Sequence, residues 1–366
     1  MLQDVTVLLP ELLLAMFIAV AWGAGRVSGE DAMASRVLWL SVGVFAILAI
    51  WLVNRGGMTQ LAFSGAFIDD PLARYGKVMC LGGAAFILAM SRDVMYRRDM
   101  LRLEYPVLVG VSQLGMMTMV SAGDLSVLIL ATEAAAFAFY ALVALRRQSS
   151  KAGQAALKLV LLGCLFSVVT LFGLSLLFGA TGTTRIARLT IDTAGWDVQL
   201  GLVLVIAGLG FKLAAAPFHF WAADVQEGAP IAIAALLLTV VPLAVLIVLA
   251  RLLQAGLPEI APLWQAGLAL LSVLSVLVGA LALTHQAHIK RFLAFAGVLN
   301  TGYVLAGLSA ANGDGLLSAL LQASTFSICA IGLFAFVLSM EREERPIFEI
   351  EALRGYARYA PRRGLA

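Results

Sequence analysis

Residues Gly208 to Pro230 read GLGFKLAAAPFHFWAADVQEGAP. Lys212 closes an uncharged run that begins at Leu200, and Pro217 follows five residues later. A proline inside a helix removes a backbone donor and clashes with the preceding turn, so a break or kink is expected near Pro217. Backbone groups freed at membrane depth are tolerated only beside protein or a water-lined cavity. A broken helix next to a buried lysine is an element from which transporters build ion sites.

The surroundings of this stretch are those of a membrane protein. Of 366 residues, 61% are hydrophobic and 13% charged, against about half and about a quarter in soluble domains. Many apolar runs reach the length that crosses a bilayer as a helix, and the short alternating segments of a β-barrel are absent. The fold class is therefore all-α and polytopic. Eleven spans are expected, near 9–25, 36–53, 75–91, 104–121, 124–145, 155–179, 199–221, 229–253, 262–284, 292–311 and 314–339. The first run, Val5 to Gly25, follows Met-Leu-Gln-Asp, with no basic residue and no clear cleavage site. It reads as a retained helix rather than a signal peptide.

Charge sets the orientation. With the N-terminus outside, 17 of the 25 Lys and Arg residues fall in inside connections, Arg97, Arg98, Arg146, Lys151 and Lys290 among them. Six, including Lys77 and Arg251, fall outside, and Lys158 and Lys212 lie within spans. This bias follows the positive-inside rule. The net charge of +3 says little about partners, and nothing points to nucleic acid. Cys80, Cys164 and Cys329 each stand alone in apolar runs, so no disulfide, zinc site or iron–sulfur cluster is expected. There is also no P-loop and no G-x-G-x-x-G.

Ionisable groups inside spans are functional candidates by default. Glu133 sits mid-span between Leu125 and Leu145, about 12 Å from either end at a rise of about 1.5 Å per residue. It is either a hydrogen-bonded packing residue or a carboxylate that handles protons. Burial disfavours a charged lysine and a nearby carboxylate favours it. A Lys212 whose distance to Glu133 varies is then a proton switch; one permanently paired is structural. Lys158 lies two turns into its span and either snorkels or is an intermediate stop towards Lys212. His219 passes protons or hydrogen-bonds a freed carbonyl. His285 and His288 have no adjacent acidic third ligand, so no metal is expected there. Asp224 and Glu227 are expected to cap and orient the broken region.

KLAAAPFHFWAADVQEGAP resembles the seventh-helix motif of the antiporter-like subunits of respiratory complex I. Lys212, Ala214, Pro217, Phe218, His219, Trp221, Asp224, Val225, Gly228, Ala229 and Pro230 match its pattern. The Asp-Val…Gly-Ala-Pro ending is similar to the subunit N branch. DDPLARYGKVMCLGGAAFILAMSRDVMYRRDM, ATEAAAFAFYALVALRR, AALKLVLLGCLF and IKRFLAFAGVLNTGYVLAGL agree with the third, fifth, sixth and tenth helices. The resemblance implies a proton-translocating membrane subunit working through Glu133 and Lys212, with Lys158 on a family lysine. It implies inverted five-helix repeats, each with one broken helix. The corresponding segments are 1–103, a first repeat at 104–255, a partial second repeat at 256–340, and a cytoplasmic segment at 341–366.

NADH, FMN, iron–sulfur clusters and quinone are implied for partner subunits, none for this chain. Its partners would be other complex I membrane subunits, the lipid bilayer and protons. The location would be a bacterial inner membrane rather than a mitochondrial one. Three departures stand out: Leu243 where the family commonly has Val-Pro-Lys, Ala131-Thr132 before Glu133, and eleven spans where the family has fourteen. They keep a truncated or degenerate non-pumping paralogue, and a stand-alone cation/proton antiporter, as alternatives.

Overall fold

The computed structural model describes residues 2–28, 30–190, 195–342, 345–346 and 348–354. Its helices are α1 (Leu2–Val7), α2 (Leu9–Ser28), α3 (Glu30–Asn54), α4 (Pro71–Arg97), α5 (Glu104–Val120), α6 (Leu125–Val143) and α7 (Ser150–Thr181). They continue as α8 (Trp196–Lys212), α9 (Ala222–Gly228), α10 (Ile231–Ala250), α11 (Ala261–Leu283), α12 (Ile289–Ser309) and α13 (Gly313–Ser339). Ten of the eleven expected spans are each carried by one helix. Among the described residues nine helices have the length and composition to cross a membrane alone. α5 and α8, at 17 residues each, are shorter. The expected span at 199–221 is corrected: α8 stops at Lys212, ahead of the proline.

Helix starts follow their side chains. Asp70 accepts from the Ala73 amide at 2.7 Å with Pro71 in the first turn of α4. Asp124 accepts from Ser126 at the head of α6, and Asn312 from Gly315 at the head of α13. These oxygens satisfy amides that have no partner inside the helix. A short antiparallel hairpin, β1 (Gln60–Ala62) with β2 (Phe67–Asp69), precedes α4.

α10 is the centre of the molecule. Its residues are apolar all round except Thr239, and 89% of its span is buried, against 28% for α2, α11 and α13. A helix without a polar stripe has no face to give to water, and α4, α5, α12 and α13 surround this one. Small residues bring neighbouring backbones close. A Cβ on Gly115 of α5 would stand 2.7 Å from the Ala135 amide nitrogen of α6. One on Gly173 of α7 would stand 2.7 Å from the Gly201 carbonyl of α8. Such contacts carry helix association where lipid supplies no hydrophobic drive.

Connections alternate between two ends of the bundle. One end gathers Arg98, Arg146, Lys151, Glu227 and His288 around one pocket. The other carries the β1–β2 hairpin, Asp70, Asp124 and Arg251. At that second end two basic residues read as loop charges prove to be buried. Lys77 is fully buried, 2.7 Å from Glu11 of α2 and over the Phe67 ring. Arg251 makes a two-pronged pair with Asp70 at 2.9 and 2.8 Å. Neither is held in water, because Lys77 lies two turns inside α4 and Arg251 in the π-helical turn that ends α10. Lys290, read as an inside loop charge, is likewise buried in the first turn of α12. Of the segment 341–366, residues 343–344, 347 and 355–366, which include Arg358, Arg362 and Arg363, lie outside the described residues.

Candidate functional site

The break after α8 is held from several sides. Lys212 ends the helix, Leu213 caps it, and Ala214 turns the chain with a left-handed φ of 54°. The Ala215 amide returns to the Gly210 carbonyl at 2.8 Å. The Ala216 amide donates to Ser275 Oγ of α11 at 2.9 Å. Thr301 of α12 donates to the Leu213 carbonyl at 2.8 Å, and the Trp221 indole to the Phe211 carbonyl at 2.9 Å. The freed polar groups thus find protein partners, as they must in hydrocarbon. Phe166 stacks on Phe211 at 4.4 Å and meets Phe218 edge-on at 5.5 Å, closing the break towards α7.

This geometry leaves the Lys212 side chain at the carbonyl end of α8, where the helix dipole favours a cation. Its Nζ lies 3.3 Å from Glu133 Oε1 on α6. Ser167 of α7 donates to the same oxygen at 2.6 Å. Three helices therefore meet at one carboxylate. Beside the pair is a small chamber of about 60 Å³, walled by Thr132, Phe139, Tyr140, Leu237 and Val241. On its other flank Lys212 borders a second small space lined by Gln226, Asn300 and Thr301. Room for a water needs about 10–15 Å³ and polar partners, and this second side supplies such partners.

Lys158 is not brought to this pair. It stands nine residues before Ser167 on α7, about 14 Å along the axis, and its ammonium pairs with Asp224 of α9. Arg291 of α12 bridges Asp224 at 2.8 Å and Glu227 at 3.0 Å, and Lys151 reaches Glu227 at 3.4 Å. Asp224 and Glu227, expected only as orienting caps, are thus the acidic centre of a five-membered charge network. Burial pushes the Asp224 carboxyl up, but hydrogen bonds from Lys158 and Arg291 outweigh it and hold it below the usual range. Burial is outweighed at Glu227 too, by Arg291, His288 and Lys151, and its carboxyl is lowered.

His219 also stands apart from Glu133 and Lys212. It is half-buried, and its ring faces Phe295 of α12 at 6.3 Å. His288 caps α12 through the Lys290 amide at 3.2 Å, whereas His285 is exposed. No group of three or more His, Cys, Asp or Glu converges among the described residues. Leu243 is buried on the face of α10 towards α4 and α13, lining a cleft of about 600 Å³ with Met79, Phe86 and Ile331. Leu237, Val241 and Val245, spaced by four, present a different face to the Lys212 chamber. Position 243 therefore does not adjoin Lys212.

Sequence reading passed over Ser167, Arg291, Glu11 and Asp70. A hydroxyl in an apolar run carries no distinctive signal. Arg291 and Asp70 sit at helix edges, where charged residues are ordinary. Glu11 was legible as an acid within the first apolar run.

The family described as "NADH:quinone oxidoreductase/Mrp antiporter, TM" matches residues 122–363. The chain is 39% identical to NADH-quinone oxidoreductase subunit N of Jannaschia sp. (strain CCS1), over 99% of this chain and 76% of that one. It is 38% identical to the Rhodobacter capsulatus protein of the same name, over 99% and 77%. Among solved structures, respiratory complex I from Thermus thermophilus with bound aureothin superposes with a TM-score of 0.80 at 32% identity. The match covers 97% of this chain and 76% of that one. The Mrp complex from Dietzia sp. DQ12-45-1b shares the fold, with a TM-score of 0.78 at 22% identity, covering 91% and 37%.

Proposed function

The chain belongs to the NADH:quinone oxidoreductase/Mrp antiporter family of membrane subunits, and on that footing we propose that it is a proton-translocating membrane subunit of a bacterial NADH–quinone oxidoreductase. Oxidation of NADH and reduction of quinone take place on partner subunits, which hold the flavin and iron–sulfur clusters. This chain offers three separate cysteines, Cys80, Cys164 and Cys329, and no clustered donor set among its described residues. Its part is to move protons.

The observation that carries this reading is the Glu133–Lys212 pair at 3.3 Å, at a helix break in the middle of the bundle. Desolvation disfavours the ammonium and the carboxylate favours it. When Glu133 is close, Lys212 holds its proton; when the two separate, Lys212 releases it. We assign Lys158 to proton supply from the basic end, through its contact with Asp224, and His219 to a secondary place beside the break. The N-terminus lies outside the inner membrane in this reading, so the basic end faces the cytoplasm. Helices within 104–255 form the first antiporter-like repeat, and those within 256–340 part of a second.

Lys212→Ala in the assembled complex tests the assignment. Proton uptake into inverted membrane vesicles per NADH oxidised is expected to drop while the subunit still co-purifies. An unchanged proton-to-electron ratio overturns the switch.

A further inference from the structure

Among the described residues, four polar side chains stand in the wall of the chamber beside Lys212, and three of them are engaged. Lys212 pairs with Glu133 at 3.3 Å. Thr132 donates to the Leu128 carbonyl, and the Trp221 indole to the Phe211 carbonyl. The fourth is Tyr140 of α6, only 9% exposed. Its hydroxyl hydrogen-bonds to no described residue and is left to the chamber. The ring is held edge-on by Phe137 at 5.8 Å. A buried hydroxyl without a partner costs free energy, and a phenylalanine would pack the same ring without that cost.

The place of that hydroxyl is fixed by α7. A Cβ on Gly163 would stand 2.1 Å from the Tyr140 oxygen, so the oxygen fits there because position 163 is glycine. Gly163 lies five residues after Lys158 and four before Ser167, about 8 Å and about 6 Å along the helix axis. The oxygen therefore stands between the Lys158–Asp224 pair and the Ser167–Glu133–Lys212 group. The chamber joins the two levels, since Leu159, next to Lys158, lines it together with Lys212. Hydrogen-bonded oxygens are about 2.8 Å apart, so one or two waters span each half of the interval. A volume of about 60 Å³ has room for them, at about 30 Å³ of liquid per water.

We infer that Tyr140 is a relay residue that passes protons from Lys158 to Lys212. The inference rests on the reading of Glu133 and Lys212 as a proton switch. In the step, the phenol oxygen accepts a proton from a water on the Lys158 side while its own O–H proton passes to a water on the Lys212 side. One O–H bond forms and one breaks, the side chain is neutral before and after, and rotation about the C–O bond resets it. A hydroxyl is donor and acceptor at once, which the apolar walls around it are not. The missing protein partner suits this role, because a fixed hydrogen bond would hold the hydroxyl in one orientation.

The test uses inverted membrane vesicles that contain the whole complex. Tyr140→Phe removes one oxygen, strands no partner, and is expected to assemble as the wild type does. It is expected to lower proton uptake per NADH oxidised to the level of Lys212→Ala. A merely structural hydroxyl predicts the wild-type ratio instead, and that result overturns the relay. Para-aminophenylalanine at position 140 sets an N–H group in the place of the O–H and is expected to restore most of the lost ratio. A ratio as low as that of Tyr140→Phe would show that this group does not carry the proton. Lys212→Ala, run alongside, separates the two readings. If it lowers the ratio and Tyr140→Phe does not, the relay falls and the switch stands; if it leaves the ratio unchanged, both fall. Should Tyr140→Phe fail to co-purify, Gly163→Ala crowds the hydroxyl out of its place and reads the same loss, a wild-type ratio again overturning the relay.

Discussion

Ser167 and Glu133 share a 2.6 Å hydrogen bond across α6 and α7, on the same carboxylate oxygen that faces Lys212. The hydroxyl holds that oxygen in place, so the ammonium approaches a carboxylate whose orientation is already set. Hydrogen bonds to charged groups are worth about 1.5–3 kcal/mol. Ser167→Ala is therefore expected to slow proton uptake about tenfold, with Ser167→Thr retaining most of the wild-type rate. Vesicle pumping assays at matched NADH oxidation read this directly, and a wild-type rate in Ser167→Ala removes the hydroxyl from the switch.

Among the described residues Lys77 and Glu11 form the most enclosed ion pair, with 0% and 5% side-chain exposure. Removing one partner of a buried pair strands the other and costs about 3–5 kcal/mol, whereas replacing both with apolar residues is often neutral. Lys77→Met and Glu11→Leu singly are expected to shorten the half-life of the detergent-solubilised protein. The double variant is expected to recover most of it. If the double loses as much as the singles added together, the two residues do not act as a pair.

The Asp224–Glu227 network predicts an acid limit. Both carboxyls lie below their ordinary values in the fold. The stability they contribute is complete above the ordinary carboxylate range of about 4 and is lost as pH falls towards the folded-state values. Hydrogen-exchange protection of α9, corrected for intrinsic rates, should hold from neutral pH to about 5 and decline below about 4. Arg291→Gln removes a donor from both acids and should move the decline upward in pH. Protection that ignores pH across this window would show that the network does not dock α9.

Leu243→Lys gives a result opposite to the one the family pattern suggests. The side chain faces the apolar cleft between α4, α10 and α13 rather than the Lys212 chamber. A lysine there is expected to destabilise the bundle by a few kcal/mol, about the cost of an intramembrane cation, and to leave the proton-to-electron ratio unchanged. A raised ratio would place position 243 on the proton route after all.

The architecture was largely readable from the sequence because hydrocarbon imposes one rule on every span. Each apolar run had to be a helix, and the break near Pro217 was written in the proline. Glu133 and Lys212 stood out because charges in such runs are rare, and the fold brings them within 3.3 Å. Other placements depended on packing between distant segments. Lys158 and Asp224 are 66 residues apart, and periodicity does not state which faces of α7 and α9 meet. Lys77 was misread for a related reason. A span edge set at residue 75 leaves it beside water, whereas α4 begins at Pro71 and carries it inward beneath Glu11. The orientation of Leu243 was hidden as well, since α10 is apolar on every side and shows no stripe to mark its faces.

The chain between α8 and α9 is fastened to helices from much later in the sequence. Ser275 of α11 accepts from Ala216, and Thr301 of α12 donates to Leu213. These two anchors flank Ala214, the turning residue next to Lys212. Among the described elements α11 and α12 pack against each other most extensively. The backbone turn that sets the Lys212 ammonium is thus tied on both sides to helices that come later in the chain, so a tilt of either helix would be felt at Ala214 through these two hydrogen bonds.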